Sequence, residues 1–416
     1  MGRGVGVAGS VLTGSVLAGV LLTGCAGGEA EAPAPSAPVP GSVAAGGPPA
    51  TPSEDGTAST ATSEATGPGP TATAEPAPTT TARVGTAGVP DAAAATDVVT
   101  GLPVPWDLAF LSDGSALVTL RDEARVVRVR ADGTTTAVTA DGEDGRVAGV
   151  VPAGEGGLLG ITTDATASRV FVYVSGEQDN RVVRYDLDAA AGTLSSPVAV
   201  VTGIPRSEVH NGGRIDLGPD GMLYVATGDA RVRDAAADRG SLAGKILRVT
   251  TEGAPAPGNP DPASPVWSSG HRNVQGLGWS GDGTMWASEF GQDTTDELNV
   301  IRPGADHGWP QVEGAAGVDG LTDPVVTWRT DDASPSGIAV TDDAVYLAAL
   351  RGARLWRVPV RDGGAVVGEP QVALDGLGRL RHVEVAPDGS LWVLTSNTFR
   401  GDPREGDDRV VRLPLG

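Results

Sequence analysis

Cysteine is almost absent from this 416-residue chain, since Cys25 is the only one. A single cysteine cannot form an internal disulfide, so the folded part must be stabilised by its own apolar core. Lysine is equally scarce, and Lys245 is the only one. With 52 acidic residues against 30 basic ones, the net charge is −22. This balance argues against nucleic acid as a partner, because binding phosphates requires a basic face.

Helical periodicity is also lacking. Between residues 96 and 416 no long apolar stripe recurs at helical spacing, apart from a weak candidate at residues 233–242. The chain instead contains short alternating or β-branched runs at residues 116–120, 170–174, 222–226, 284–288, 344–348 and 390–394. Such runs predict β-strands.

Each of these six strands follows a turn that contains aspartate. The turns are residues 112–114, 164–166, 219–221, 281–283, 341–343 and 387–389, spaced about 45 to 62 residues apart. A repeat of that length with several short strands is typical of a propeller blade, so the sequence predicts an all-β, six-bladed β-propeller. Residues 408–413 are expected to pair with the start of the domain and close the ring. We expect Trp286, Trp356 and Trp392 in the core, and function on loops at one end of the channel.

The amino terminus has the features of an export signal. Arg3 precedes an apolar run from residue 5 to 22, and the small-residue site at residues 22–25 ends in Cys25. This pattern predicts a signal peptide at residues 1–24. The sequence Leu-Thr-Gly-Cys resembles the bacterial lipobox, which predicts a lipid anchor on Cys25 at the outer face of the cell membrane. A plain signal peptide with an incidental cysteine is the alternative. Residues 25–95 are rich in Ala, Pro and Thr, so we expect a disordered tether before a propeller at residues 96–416.

Two polar clusters contain histidine and arginine. His210 precedes Gly212 and Gly213, which allow close backbone approach, and an imidazole can act as a general base near neutral pH. Residues 270–276 place Arg272 and Asn273 in one turn, and a planar guanidinium suits an electron-rich carbonyl or a carboxylate. The alternatives are a structural histidine and a surface loop held by its own hydrogen bonds.

Two further clusters carry concentrated charge. Residues 288–301 place four carboxylates in and around a loop, followed by His307, and such a loop could bind a hard cation such as calcium. It could equally be an acidic turn in an acidic protein. Arg379 and Arg381, together with Arg351, could bind a polycarboxylate, although arginines at strand ends are often solvated.

These clusters and the glycine-rich residues 154–160 occur in one order along residues 96–416. In this they resemble the soluble PQQ-dependent aldose sugar dehydrogenases, the glucose/sorbosone dehydrogenase family. The resemblance implies a six-bladed propeller with PQQ across the channel mouth. It implies oxidation of the anomeric CH–OH of an aldose to the lactone, with electrons passing on to an unidentified acceptor.

The resemblance also implies roles for individual residues. His210 would remove the proton from the anomeric hydroxyl, while Arg272 would stabilise the quinone oxygen and Asn273 would hold the same region. The carbonyls of Gly291 and Gln292 would bind a cofactor calcium. A structural calcium would be bound by Asp296, Glu297 and the carbonyl of His307. The PQQ carboxylates would be bound by Arg351, Arg379 and Arg381, and Glu155 would make a polar contact with cofactor or substrate.

The chain departs from the glucose-oxidising members at several positions. Val209 stands where they carry an acidic residue, which favours broad aldose specificity over strict glucose oxidation. Glu155 replaces a glutamine, and His382 follows Arg381 where an aspartate is common. Two alternatives are a propeller that binds ligands without catalysis and a calcium-dependent hydrolase of the lactonase kind. His210, Arg272 and the three arginines favour the dehydrogenase.

Overall fold

The computed structural model describes residues 87–416, which form six antiparallel β-sheets. Strand β1 (Thr96–Thr100) comes first in the chain. Blade one contains β2 (Pro105–Phe110), β3 (Ala116–Leu120), β4 (Arg125–Val129) and β5 (Thr135–Val138). Blade two contains β6 (Leu158–Thr163), β7 (Arg169–Ser175), β8 (Asn180–Asp188) and β9 (Thr193–Ile204). Blade three contains β10 (Ile215–Leu217), β11 (Leu223–Ala226), β12 (Ile246–Val249) and β13 (Val266–Ser268).

The other three blades repeat this pattern. Blade four contains β14 (Val274–Trp279), β15 (Met285–Glu289), β16 (Thr295–Ile301) and β17 (Val326–Arg329). Blade five contains β18 (Pro335–Val340), β19 (Ala344–Ala349), β20 (Arg354–Arg361), β21 (Ala365–Val366) and β22 (Gln371–Leu374), which also pairs with β20. Blade six contains β23 (Leu380–Val385), β24 (Leu391–Thr395), β25 (Arg409–Leu413) and β1. Helical structure within residues 87–416 is limited to four short 3₁₀ helices: Ala92–Ala94, Glu143–Gly145, Arg233–Ala236 and Asp362–Gly364.

The predicted six-bladed β-propeller is confirmed. Each of the six predicted strands overlaps the second strand of a blade, after an aspartate-containing turn that joins it to the first. The predicted closure is present too: β25 pairs antiparallel with β1, so that Thr96 lies opposite Arg412 and Thr100 opposite Arg409. The weak helical candidate at residues 233–242 is a single 3₁₀ turn at Arg233–Ala236.

The core consists of apolar clusters between neighbouring blades, where the β-branched residues of adjacent sheets pack face to face. Trp286 and Trp392 are buried there, as predicted. Trp356 packs on the same core but is only partly buried, because its indole Nε1 reaches out to donate to the Asp332 carbonyl at 3.1 Å.

The predicted signal peptide (residues 1–24), the anchor at Cys25 and the tether up to residue 86 lie outside the described residues. Ordered contacts begin before the predicted boundary at residue 95. The amide of Gly416 donates to the Val89 carbonyl at 3.0 Å, and that of Asp91 to the Pro414 carbonyl at 3.0 Å. Within residues 87–416, no helix combines the length and apolarity needed to cross a membrane.

The first strands of the six blades contact each other in a closed ring around the channel. In an antiparallel pair, the start of the first strand and the end of the second lie at the same edge of the sheet. Loops that precede first strands and loops that follow second strands therefore gather at one end of the channel. The aspartate-containing turns lie at the other end.

Candidate active site

A cavity of about 300 Å³ opens at this loop-bearing end of the channel. Seven of the predicted site residues line it: Glu155, His210, Arg272, Gly291, Arg351, Arg379 and Arg381. Eight residues not singled out from the sequence complete the lining: Trp106, Arg121, Gln275, Phe290, Ser334, Leu350, Phe399 and Arg400. All six blades contribute to this lining, through their first strands or through the loops next to the channel, so the fold itself brings these distant positions together.

His210 lies immediately before blade three in a left-handed backbone conformation, with φ of 59°. This conformation is uncommon for a residue with a side chain, and it persists only where neighbouring groups enforce it. The His210 amide donates to Oε2 of Glu155 at 3.1 Å, and its carbonyl accepts from the Ala230 amide at 3.1 Å. The backbone passes so close to Gly228 that a Cβ there would lie 2.0 Å from the His210 carbonyl oxygen. The loop therefore directs the imidazole into the cavity.

The His210 ring is held by a buried carboxylate. Its Nδ1 lies 2.8 Å from Oδ1 of Asp229, which is fully buried. The other oxygen of Asp229 accepts from the indole Nε1 of Trp309 at 2.9 Å. Burial alone would raise the pKa of Asp229, but hydrogen bonds from His210, the Arg231 amide and Trp309 outweigh it and lower the pKa. Asp229 is therefore an anion that orients the imidazole.

The opposite ring nitrogen faces a cation. Nε2 of His210 lies 3.0 Å from Nη2 of Arg272. A guanidinium can only donate hydrogen bonds, so Nε2 must be the unprotonated nitrogen and Nδ1 must carry the proton donated to Asp229. The two neighbours thus fix the tautomer in which Nε2 carries the lone pair, which is the state that a general base requires once Arg272 turns away from it.

The backbone of Arg272 is held by a buried chain of hydrogen bonds through Glu289, His271 and Ser268. Its amide donates to Oε1 of Glu289, whose other oxygen lies 2.8 Å from Nδ1 of His271. The ring of His271 continues to Oγ of Ser268 at 2.8 Å. Burial raises the pKa of Glu289 to about 8, against the lowering effect of the Arg272 amide and guanidinium, and burial lowers the pKa of His271 to about 3. Burial also lowers the pKa of Arg272, while Asp229 and Glu289 oppose this effect.

The three arginines predicted to bind carboxylates differ in whether they already have a carboxylate partner. Arg351 is exposed and pairs with Asp331 at 2.5 Å. Arg381 is buried, and its Nη1 donates to Oε1 of Gln275 at 2.9 Å and to Oγ of Ser336 at 3.2 Å. Among the described residues neither Arg379 nor Arg381 has a carboxylate at ion-pairing distance. Burial lowers the pKa of both guanidinium groups, and other arginines nearby lower them further.

One wall of the cavity comes from the loop after β24. Arg400 donates from Nη1 to Oε1 of Glu155 at 2.7 Å, so Glu155 connects this loop to the His210 backbone. The half-buried ring of Phe399 lies beside Arg400 and covers Arg121, whose guanidinium carbon is 3.8 Å from the ring centroid. Neither Phe399 nor Arg400 belonged to a cluster that the sequence singled out.

The floor of the cavity is an aromatic residue between guanidinium groups. Trp106 lies 4.4 Å from the guanidinium carbon of Arg214 and 5.8 Å from that of Arg381. Arg214 is paired with the buried Asp107, whose Oδ1 is 3.2 Å from Nε2 of His382. His382, which stands where related proteins commonly have an aspartate, therefore lies deeper in the channel. It lines a second cavity of about 200 Å³ and not the cavity that His210 faces.

Asn273 is buried beneath the site rather than exposed to it. Its Oδ1 accepts from the Gly212 amide at 3.0 Å, so it holds the loop that carries His210. The close approach predicted for the two glycines is present: a Cβ on Gly212 would lie 2.5 Å from Thr227 Cα, and one on Gly213 would lie 2.6 Å from Leu159 Cδ1.

The two carboxylates predicted to bind a structural calcium have other partners. Asp296 and Glu297 are neighbours on β16 and therefore face opposite sides of the sheet. Asp296 accepts from the amides of Gly291 and Ser334, and Glu297 from the Gly314 amide and the Asn299 side chain. The buried ring of His307 stacks on His271, 4.7 Å between centroids. Among residues 87–416, no three His, Cys, Asp or Glu side chains form a group suited to a metal ion.

Sequence comparison assigns a family to most of this domain. The model of the Glucose / Sorbosone dehydrogenase family matches residues 102–401. The PQQ-bound aldose sugar dehydrogenase of Streptomyces coelicolor is 49% identical, with a TM-score of 0.73 and a match over 79% of this chain and 100% of that chain. The aldose sugar dehydrogenase YliI of Escherichia coli is 29% identical over 336 residues, which are 71% of this chain and 87% of that protein. The apo-form structure of the soluble aldose sugar dehydrogenase from Escherichia coli is 25% identical, with a TM-score of 0.68.

Proposed function

Because the chain belongs to the glucose/sorbosone dehydrogenase family, we propose that it is a PQQ-dependent dehydrogenase that oxidises the anomeric carbon of aldose sugars to the lactone. The electrons would pass to an acceptor outside this chain. The absence of an acidic residue at Val209 favours a broad range of aldoses over glucose alone. Export and a lipid anchor at Cys25 on the outer face of the bacterial membrane remain part of the proposal.

The observation that carries the proposal is the buried guanidinium of Arg381. A buried charge is costly unless it is paired, and Arg381 has two neutral hydrogen-bond acceptors but no carboxylate partner among the described residues. Arg379 lies next to it with its Nε unpartnered. Both side chains line the cavity that His210 faces, so the cavity suits a ligand with several carboxylates next to the base.

PQQ fits these requirements. It carries carboxylates that Arg379, Arg381 and the exposed Arg351 could bind, since arginine forms bidentate pairs with carboxylates. Arg272, whose Nε is also unpartnered, would donate to the quinone oxygen. When bound, PQQ would supply the acceptor for the hydride that leaves the sugar C1.

Residues of this chain would accept the proton of the C1 hydroxyl and stabilise the charge that results. His210 presents the lone pair of Nε2 to the cavity and would accept the proton of the C1 hydroxyl. Asp229 would stabilise the imidazolium that forms, because its carboxylate already accepts the Nδ1 proton at 2.8 Å. The imidazolium and the guanidinium of Arg272 would then repel each other unless Arg272 shifts to the developing negative charge, which is the electrostatic role expected of such a donor. Glu155 and Arg400 would confine the sugar beside His210.

The proposal includes a calcium ion that backbone carbonyl oxygens would bind at the cofactor. The carbonyls of Gly291 and Gln292 are the candidate ligands nearest the cavity, and hard cations accept such oxygens. The second calcium predicted at Asp296, Glu297 and the His307 carbonyl stays a prediction, and the amide partners of the two carboxylates do not support it.

PQQ titration of the purified full-length apo-protein, with calcium and then a panel of aldoses and a redox dye, tests the proposal. We expect saturable PQQ binding followed by dye reduction. Arg381→Met should weaken PQQ binding by roughly 100-fold, because an arginine–carboxylate contact is removed from a buried site. His210→Ala should bind PQQ and lose turnover.

Arg412→Met is a matched control, since Arg412 pairs with Asp388 on the surface of blade six, outside the cavity. It should behave like the wild type in both measurements. Absence of PQQ binding by the wild type would contradict the cofactor, and full turnover by His210→Ala would contradict the assigned base.

A further inference from the structure

Glu313 lies outside the cavity, in the long segment of residues 302–325 between β16 and β17. Its carboxylate oxygen Oε1 accepts four consecutive backbone amides from a different loop. The donors are Gln292 at 2.8 Å and Asp293, Thr294 and Thr295 at 3.0 Å each. Successive amides that converge on one oxygen form an anion-binding nest. Four N–H donors directed at one oxygen are the partners that a carboxylate, which can only accept hydrogen bonds, requires.

The nest determines where the carbonyls of this loop point. A trans peptide is planar, and its C=O points opposite to its N–H. The N–H of Gln292 shares a peptide with the carbonyl of Gly291, and the N–H of Asp293 shares one with the carbonyl of Gln292. Since both N–H groups point at Glu313, both carbonyls must point away from it. These are the two carbonyls that the cofactor cation would require.

The loop is wrapped tightly around the carboxylate. A Cβ on Gly291 would lie 1.7 Å from the Thr295 carbonyl oxygen and 2.7 Å from Oε1 of Glu313, so only glycine fits there. Asp296 fastens the start of the same loop, because its Oδ1 accepts from the Gly291 amide at 3.0 Å. Its Oδ2 accepts from the amide of Ser334 at 2.6 Å, and both Gly291 and Ser334 line the cavity.

We propose that Glu313 is a positioning residue for the cofactor site: it organises residues 291–295 so that the carbonyls of Gly291 and Gln292 are presented for the cation and PQQ. The inference rests on the proposed function for the identity of those ligands. Glu313 itself would touch neither of them. Such supporting contacts typically change metal affinity by tenfold or more when they are removed.

Glu313→Ala, Glu313→Gln and Asp323→Ala test this in the full-length protein. Asp323 is the matched control, because its carboxylate also accepts backbone amides, those of Ala316 and Gly317, in the same segment without reaching the loop. Two quantities would be measured: hydrogen exchange of the amides of residues 292–295 in the apo-protein, and PQQ affinity as a function of calcium concentration. Turnover of the saturated enzymes would be compared afterwards.

In Glu313→Ala we expect faster exchange at these four amides, roughly tenfold or greater weakening of PQQ affinity that added calcium partly restores, and nearly unchanged turnover at saturation. Glu313→Gln keeps an oxygen acceptor and should fall between Ala and the wild type. Asp323→Ala should match the wild type. Unchanged PQQ affinity in Glu313→Ala, or an equal loss in Asp323→Ala, would overturn the inference. A wild type that shows protected amides but no PQQ binding would refute the proposed function and this role together.

Discussion

At the scale of single residues, His210 is defined by two charged neighbours of opposite sign. Asp229 accepts the proton of Nδ1, and Arg272 donates toward Nε2, so the neutral imidazole has one tautomer available. The same pair prepares the ring for proton transfer, because the carboxylate would stabilise the imidazolium and the guanidinium would turn from Nε2 to the negative charge that develops on the cofactor. A base prepared in this way needs no rearrangement of its own ring before it acts.

Asp229→Asn should therefore impair proton transfer to His210 without preventing PQQ from binding. An asparagine cannot accept on both sides, so either Trp309 or His210 would lose its acceptor, and the charge that stabilises imidazolium would be gone. We expect kcat to fall by roughly 100-fold, in the range of a general base. PQQ affinity should stay close to that of the wild type, since Asp229 does not line the cavity.

Steady-state kinetics with saturating PQQ and a separate PQQ titration would check this expectation. Trp309→Phe is the companion variant, since it removes one donor to Asp229 but leaves the carboxylate and should cost much less. Equal kcat in Asp229→Asn and the wild type would mean that Asp229 does not support the base.

The sequence predicted His210, Arg272, Arg379 and Arg381 because each stands in a recognisable local cluster. It did not predict Asp229, Glu313 or Phe399, whose partners lie in other loops of the same or a neighbouring blade. Trp309 reaches Asp229 over 80 residues, and Glu313 reaches residues 292–295 over 18 to 21 residues. In an acidic chain, nothing in the neighbouring sequence distinguishes an Asp or Glu that supports the site from the many other acidic residues in loops. The strand pairing within blade four brings Glu313 to residues 292–295, and the packing of blades three and four brings Trp309 to Asp229.

At the scale of elements, the loop between β11 and β12 is held by the only lysine of the chain. Nζ of Lys245 donates to the carbonyls of Ala235 and Ala236 at 2.8 Å and of Ala243 at 2.7 Å. An ammonium offers three donors around one point, which a planar guanidinium cannot match. This geometry explains a lysine here in a chain that otherwise uses arginine. The loop carries Asp229, and its Ala236 carbonyl accepts from the Gly270 amide near Arg272 at 2.9 Å.

Lys245→Met should destabilise the domain by about 3 kcal/mol or more, because three hydrogen bonds from a buried ammonium to backbone carbonyls would be lost. Lys245→Arg should recover only part of that loss. Denaturant unfolding of the apo-protein, followed by tryptophan fluorescence, would measure it. Arg412→Met serves again as the control, with an expected cost below about 1 kcal/mol for an exposed pair. A Lys245→Arg protein as stable as the wild type would show that the three-donor geometry is unimportant.

Strands were predictable where the local residue pattern favours the same structure that the contacts between strands require. The second strands of the blades combine β-branched residues with a preceding turn, and all six were recognised. The first strand of blade three, β10 (Ile215–Leu217), has only three residues with Asp216 at its centre, so its sequence is too short to show the apolar alternation that identifies a strand. The segment of residues 302–325 has no regular strand or helix and is held by Trp309, Glu313 and Gly314 through contacts to other loops.

At the scale of the whole molecule, the ring is closed by pairing the two ends of the domain. Three strands of blade six come from the end of the propeller domain, and the fourth, β1 (Thr96–Thr100), comes from its start. Without β1 the edge of β25 would expose unpaired backbone groups, which favours association with other chains. The contacts of Val89 and Asp91 with Gly416 and Pro414 extend the same closure by a few residues.

Deleting residues 1–100 should therefore weaken the propeller, whereas deleting residues 1–86 should not. The longer deletion removes β1 and every contact before it, and we expect a midpoint of thermal unfolding lower by on the order of 5 °C or more, with concentration-dependent association. The shorter deletion keeps all described strands and should match the full-length protein in unfolding and in PQQ affinity. Differential scanning calorimetry and light scattering on the two deletions would decide. If both proteins were monomeric and unfolded at the same temperature, β1 would contribute nothing to closure, and the ring would be stable through the contacts of its first strands alone.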